Sequence, residues 1–279
     1  MQLRKFAVIG HPIGHTMSPY IHQRLFALQG IFPEYAAFDL QKLGGDFLRS
    51  FDGINVTIPY KRQILSCLDE IDPMALRVGS VNTIKITKGK MRGYTTDGVG
   101  CLKSLRHHGI ETRGKILLLG NGGAARAIAF ALFDDGATPE LTIAARSRER
   151  GEELKKSLNR ENIRVLTCSE LLEEKTVYSL VVNATSVGMY PDISVSPVPK
   201  SVLERCQTLF DAVYNPRETL FLKMGRELSK NCIPGMEMLV FQGVCAHEIW
   251  YDARFSPQDL HTLCRDAAIE TEKLFAKRD

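Results

Sequence analysis

Lys61 and Asp97 are the residues whose types and settings suit proton transfer. Lys61 follows Ile54–Ile58 and Pro59, where Ile54, Val56 and Ile58 alternate with Asn55 and Thr57 at the period of a half-buried strand. It stands just past the strand end, at the opening of a helix. Cationic charge is mildly disfavoured there, a setting that suits a general acid. The plainer reading is a solvated surface lysine that carries little packing. Asp97 lies in Thr95-Thr96-Asp97-Gly98-Val99-Gly100 and opens a helix through Leu102 and Leu105 that stops at Gly109. It is either the N-cap of that helix or the ionic partner of Lys61. Thr16 and Ser18 offer two hydroxyls beside another helix start, Ser18-Pro19, whose pattern runs through Ile21, Leu25 and Leu28 to Gly30. Ser18 reads as an N-cap followed by a proline at the first helical position. With Thr16 it reads equally as a seat for a carboxylate.

Phosphate chemistry is written further along. The apolar run Ile116–Leu119 leads into Gly120-Asn121-Gly122-Gly123-Ala124-Ala125, and an apolar helical pattern continues through Ile128 and Leu132. This strand, glycine turn and helix start match G-x-G-x-x-[GA] in the context that gives it meaning. Gly120 would allow the tight turn, Gly122 the approach of a pyrophosphate, and Ala125 close helix–strand packing. The helix N-terminus would offer unpaired N–H groups to the phosphates. An ordinary glycine turn is the alternative. Leu141–Ala145 reads as the second strand of the βαβ unit, and its end carries Arg146-Ser147-Arg148-Glu149-Arg150 in place of an acid for a ribose hydroxyl. Arg146, with its planar fork of donors, favours a 2′-phosphate and hence NADP. Otherwise this is a basic helix start without a ligand.

The elements that must position these groups alternate along the chain. Phe6–Ile9 reads as a buried strand, Tyr35–Leu40 as the next, and Gln41–Ser50 as a helix. Val78–Ile86 and Met91–Tyr94 form a hairpin turning at Lys88-Gly89. Leu180–Asn183 ends in Ala184-Thr185, and Leu209–Val213 opens into Tyr214-Asn215-Pro216; both endings would lie at the carboxyl edge of an open sheet. Pro234-Gly235-Met236 is a break. Met238–Trp250 is helical and places Gln242 among apolar neighbours, and Pro257–Phe275 is a last amphipathic helix.

The 279 residues suit one large domain or two of ordinary size. An apolar fraction of 44% with 24% charged residues is that of a soluble globular protein. A net charge of +4, scattered along the chain, does not argue for nucleic acid and is compatible with anionic small molecules. No run has the apolar length of a membrane span. The opening MQLRKFAVIGHPIG enters a strand without the shape of a signal peptide. Seven dispersed cysteines without a C-x-x-C pair point to reduced thiols in a cytoplasm, and no cluster suggests a metal.

In order, GHPIGHTMSPYIH, GINVTIPYK, GSVNTI, TTDGVG, GNGGAARA, VNATSVGM, DAVYNP and GMEMLVFQG cover nearly the whole chain. Together they resemble the shikimate dehydrogenase family, which includes quinate/shikimate dehydrogenases. The resemblance implies NADP-dependent reduction of 3-dehydroshikimate to shikimate. It implies an α/β fold of two domains: a three-layer substrate domain (residues 1–98 and 238–279, completed by the C-terminal helices) and a Rossmann domain (99–237). It places Thr16, Ser18 and Tyr214 on the substrate carboxylate. Asn55, Thr57, Asn82, Asp97 and Gln242 fall on the ring hydroxyls, with Lys61 as the acid–base group paired with Asp97. On the cofactor it places Gly120, Asn121, Gly122, Gly123, Ala124 and Ala125 at the phosphates, Arg146, Ser147 and Arg150 near the 2′-phosphate, Asn183, Ala184, Thr185 and Val213 along the remainder, and Gly235 at the nicotinamide end. The partner implied is a small molecule, for a monomer or homodimer. Two departures bear on function: Thr16 stands where Ser is usual, and Ala145-Arg146-Ser147 where Asn-Arg-Thr is usual. Thr95 replaces a common Asn, which nothing in the sequence explains. An NAD-using quinate/shikimate dehydrogenase is the nearest rival. A non-catalytic sensor on the same fold is the other, against which an intact Lys61 and Asp97 argue.

Overall fold

The computed structural model describes residues 4–14, 16–136 and 139–276. Met1, Gln2 and Leu3, where the reading of a leader-free start begins, lie outside the described residues, as does His15 of the GHPIGHT loop. The strands are β1 (Lys5–Gly10), β2 (Glu34–Asp39), β3 (Gly53–Val56), β4 (Glu70–Ile71), β5 (Thr83–Thr87), β6 (Lys90–Tyr94), β7 (Lys115–Leu119), β8 (Glu140–Ala145), β9 (Ile163–Thr167), β10 (Tyr178–Asn183), β11 (Cys206–Asp211) and β12 (Asn231–Ile233). The helices are α1 (Ser18–Leu28), α2 (Gly45–Leu48), α3 (Tyr60–Gln63), α4 (Pro73–Val78), α5 (Asp97–His107), α6 (Gly123–Asp134), α7 (Arg148–Leu158), α8 (Cys168–Glu173), α9 (Lys200–Leu203), α10 (Leu220–Glu227), α11 (Met236–Tyr251) and α12 (Pro257–Ala276). The chain divides into two units, Met1–Asp97 with Val240–Ile269 and Gly98–Leu239 with Glu270–Asp279.

In the first unit the described strands form a mixed sheet in the order β2-β1-β3-β5-β6-β4. β1 pairs in parallel with β2 and β3, and β5 runs antiparallel to both β3 and β6. Alternation along β1 sorts its side chains to two cores. Ala7 and Ile9 join Leu48, Ile54, Val56 and Ile84 on one face, while Phe6 and Val8 join Phe26, Tyr35, Ala246 and Trp250 on the other. The second face is therefore closed by α1 and α11, giving three layers. Trp250 locks this arrangement, donating from Nε1 to Ile84 O at 2.9 Å. Gly53 permits it, because a Cβ there would lie 2.6 Å from the indole.

Three local expectations are corrected. The helix expected over Gln41–Ser50 is only α2, one turn; Gly44, extended at φ −126° and ψ 117°, starts it late, and glycine is costly inside a helix. Ser18 is not a side-chain N-cap. Met17 holds that position, and the Thr16 hydroxyl accepts from the Ser18 backbone N–H at 3.2 Å. The helix that holds Lys61 is a single α-turn, Tyr60–Gln63, that passes at once into a 3₁₀ turn, Ile64–Cys67, so only a short stretch of aligned peptides acts on the lysine.

Under α1 and α11 lies a buried polar chain. Gln29 Nε2 donates to Leu25 O at 3.1 Å and to His247 Nδ1 at 2.6 Å, so that ring nitrogen accepts. His247 Nε2–H therefore donates to His22 Nδ1 at 3.0 Å, a tautomer set by its partners. A proton added to either ring would set two N–H groups face to face. Burial holds His22 well below its ordinary value, aided by His247, and pushes His247 down to about 3. Both rings stay neutral in the fold and charge on unfolding. Stability is then full above the ordinary histidine pKa and falls as pH drops below it, by about 1.4 kcal/mol per pH unit for each ring. His247→Phe should reduce the slope of unfolding free energy between about pH 6.5 and 5 by one such increment, read by urea titration. An unchanged slope would show that His247 does not titrate in this way.

The second unit is a doubly wound Rossmann sheet. Its described strands are all parallel and ordered β12-β11-β10-β7-β8-β9, so the strand order reverses between β7 and β10. Strands such as β7, with only Lys115 exposed, are buried on both faces and read as continuous apolar runs. Leu117, Val181 and Leu209 carry one core, closed by Phe221 and Leu222 of α10. Parallel pairing brings the carboxyl ends of these strands to one edge.

Candidate active site and cofactor edge

Lys61 and Asp97 meet within the first unit. Nζ lies 2.7 Å from Oδ2 and 2.9 Å from Oδ1 of Asp97. The aspartate side chain is 1% exposed and the lysine 22%, so the acid is enclosed and the base reaches solvent. Asn82 sets the acid's orientation. Its Oδ1 accepts from Thr96 N at 2.8 Å, which turns Nδ2 toward Asp97 Oδ1 and Thr96 Oγ1, both at 2.9 Å. Backbone bonds hold the lysine turn against this segment: Val81 N donates to Lys61 O and Val56 N to Asn82 O, each at 2.8 Å. An ammonium has three N–H donors. Both contacts run to the two oxygens of one carboxylate on one side of Nζ, which leaves N–H donors on its other side for another oxygen.

The strand-end polar groups join this cluster through residues that the motif reading passed over. Thr16 Oγ1 donates to Ser18 Oγ at 3.1 Å, and the Ser18 hydroxyl stands near Tyr35, whose phenol is raised well above its ordinary value by burial, with Ser18 pulling the other way. Tyr35 OH donates to Asn55 Oδ1 at 2.8 Å, and Asn55 Nδ2 to Thr83 Oγ1 at 3.3 Å. Thr83 in turn lies 3.4 Å from Asn82 Oδ1. Asn55, Asn82, Asp97 and Lys61 thus share one polar network, with Tyr35, Thr83 and Thr96 as its missed members, while Thr16 and Ser18 form a separate hydroxyl pair near Tyr35. Tyr35 is the first buried residue of β2, and Thr83 and Thr96 stand inside motifs already singled out; buried polar residues beside such motifs were the available signal. Thr57 is half-buried beside Gly10, where a Cβ would lie 2.5 Å from its methyl. Gln242 is half-buried on α11, next to Gly243, which packs on Ile21 and Leu25 of α1. Tyr214 belongs to the second unit, half-buried, its phenol raised by burial.

The remaining expected residues line the carboxyl edge of the second sheet. Gly120 adopts φ +104°, closed to most side chains, and a Cβ there would lie 2.9 Å from the Thr185 methyl. The loops after β7 and β10 therefore touch where the strand order reverses, bringing Gly120 against Ala184 and Thr185. Gly122, the N-cap of α6, has open space where a Cβ would stand and makes no side-chain cap bond. The helix N-terminus from Gly123 and Ala124 carries no acidic residue in its first turn, and Ala125 is buried against the sheet. Those N–H groups suit an anion. Arg146 and Arg150 are exposed and, among the described residues, form no ion pair, whereas Arg148 is bound to Glu170. Ser147 caps α7, accepting from Arg150 N at 3.3 Å and donating to Glu149 at 2.6 Å. Gly235 presses on the segment after β11: a Cβ there would lie 2.6 Å from Val213 O and 2.7 Å from Asp211 O. The described residues include no group of three His, Cys, Asp or Glu placed to hold a metal ion.

Comparison with known proteins bears on both units. Residues 8–84 match the shikimate dehydrogenase substrate binding domain, and residues 105–217 match the shikimate / quinate 5-dehydrogenase family. The shikimate dehydrogenase (NADP(+)) of Moorella thermoacetica is 39% identical over 256 residues, 88% of this chain and 86% of that protein. A shikimate 5-dehydrogenase of Thermus thermophilus, solved in complex with NADP(H) and shikimate, superposes with a TM-score of 0.84 at 33% identity, covering 95% of this chain and all of that one. A quinate dehydrogenase of Corynebacterium glutamicum, solved with NAD, superposes with a TM-score of 0.85 at 25% identity over 96% of this chain and 99% of that one.

Proposed function

The chain belongs to the shikimate dehydrogenase family, and from that membership we propose a division of labour between its two units. It is an NADP-dependent oxidoreductase that interconverts 3-dehydroshikimate and shikimate. The first unit binds the substrate, and the second binds the cofactor. The observation that carries the assignment of roles is the enclosed Lys61–Asp97 pair, in which the lysine keeps N–H donors for a substrate oxygen.

When bound, NADPH supplies hydride. The residues of the second unit fit it: an uncapped helix N-terminus with space at Gly122 for diphosphate, and two arginines without carboxylate partners for a 2′-phosphate. In the first unit, Thr16 and Ser18 hold the substrate carboxylate. Asn55, Thr57, Asn82 and Gln242 orient the ring hydroxyls. As the carbonyl oxygen gains negative charge, Lys61 Nζ donates a proton to it and stabilises the charge while it forms. Asp97 keeps the ammonium aimed and accepts from a neighbouring hydroxyl. In the oxidative direction the same lysine takes the proton back.

All seven cysteines are free thiols, which suits a cytoplasmic enzyme. Among the described residues, no helix is long and apolar enough to cross a membrane. We assign it no nucleic-acid partner and an oligomeric state of monomer or homodimer. Steady-state rates on shikimate and quinate, each with NADP+ and NAD+, test the specificity. Shikimate with NADP+ should give the highest kcat/KM. A preference for quinate with NAD+ would move the chain to the quinate/shikimate branch.

A further inference from the structure

At the carboxyl edge of the second sheet stands a carboxylate to which neither the phosphate loop nor the proton-transfer pair assigns a task. Asp211, the last residue of β11, is 0% exposed and forms no ion pair among the described residues. Three donors converge on it instead. Val213 N and Asn183 Nδ2 each reach Oδ1 at 2.9 Å, and Thr219 Oγ1 reaches Oδ2 at 2.6 Å. Asn183 is thereby oriented, so that its Oδ1 accepts from Thr185 N at 3.1 Å and Thr185 Oγ1 at 2.7 Å. One carboxylate thus fixes the turn after β10 and the turn after β11 together. Gly235 packs on the backbone of that second turn.

Resting on the cofactor reading above, we infer that Asp211 is a positioning residue: it holds the Asn183–Thr185 and Val213 segments in the arrangement that receives the nicotinamide half of NADP. Keeping a carboxylate in this place is costly, since burial pushes its carboxyl up to about 6 against the pull of its three donors. A purely apolar edge would avoid that cost, but it would leave two backbone turns without a common acceptor.

The phosphate loop and Arg146 lie on other strands, so the two halves of the cofactor can be separated by ligand. Adenosine 2′,5′-bisphosphate carries the adenosine half alone. By calorimetry, Asp211→Ala should weaken NADP+ roughly tenfold while the bisphosphate binds as in the wild type. Asp211→Asn should restore NADP+ binding, because its amide oxygen still accepts from Val213 N and Asn183, and the Thr219 hydroxyl can turn to accept. Should Asp211→Ala fail to fold, Thr219→Val removes the Oδ2 donor together with the hydroxyl that caps α10, and should show the same selectivity between the two ligands at smaller size. Equal weakening of both ligands, or no weakening of NADP+, would overturn the inference. A wild-type protein that binds neither ligand would instead refute the cofactor reading itself.

Discussion

Lys61→Ala should lower kcat by about 10²–10⁴-fold, the range for loss of a general acid, while shikimate and NADP+ still bind by calorimetry. The loss belongs in kcat because the proton and most of the charge stabilisation are needed only as the alkoxide forms. The variant should also melt at a lower temperature. Asp97 is 1% exposed and accepts both of its close lysine bonds from Nζ, so truncation leaves an enclosed carboxylate with Asn82 as its remaining side-chain donor. Removing one partner of such a pair is destabilising. Lys61→Met with Asp97→Asn removes both charges and separates the two effects: stability should recover, and turnover should not. Lys61→Arg should rescue poorly, since guanidinium keeps the charge but does not release a proton. A Lys61→Ala enzyme that keeps more than about a tenth of wild-type kcat, well above that range, would remove the lysine from the mechanism.

That destabilisation could not be read from the sequence, where a lysine past a strand end looks like a lightly packed surface residue. What differs is the enclosure of Asp97, and it arises partly from register. The turn at Lys88-Gly89, with φ of +51° and +75°, makes Thr87 face Lys90 and Thr83 face Tyr94. Counting inward from that turn sets Asn82 beside the Thr95–Asp97 segment, so this half of the site was legible in the hairpin. The approach of Lys61 was not. It depends on Val81 donating to Lys61 O, a non-local contact for which alternation along β3 carries no signal. The glycine loop after β7 was legible for the opposite reason, since strand, turn and helix start are contiguous and each constrains the next. Short-range conflicts misled instead: Gly44 and Gly45 cut the second helix to one turn, and Thr16 rather than Ser18 accepts at the head of α1. Asp211 carries no motif of its own, because its role depends on three donors from separate positions in the chain.

Arg146→Ala should weaken NADP+ roughly ten- to a hundredfold and leave NAD+ nearly unchanged, since only the 2′-phosphate loses a charge-assisted contact. Its position supports this. Arg146 follows the last residue of β8, where a dinucleotide fold otherwise presents an acid to the ribose, and it is exposed without a carboxylate partner among the described residues. Arg148, two residues on, supplies the control. It is bound to Glu170, so Arg148→Ala should leave the ratio of NADP+ to NAD+ affinity where it was. Arg150→Ala should lower that ratio less than Arg146→Ala, because Arg146 stands at the strand end itself whereas Arg150 lies beyond it, in the first turn of α7. An exposed guanidinium facing a phosphate is screened by salt, so discrimination should also shrink as ionic strength rises through the range where the Debye length falls below about 10 Å. Dissociation constants for both cofactors, measured at low and high salt in the wild type and the three variants, decide the matter. If Arg146→Ala weakens both cofactors equally, the arginine supports the β8–α7 turn and the specificity for NADP must be sought elsewhere.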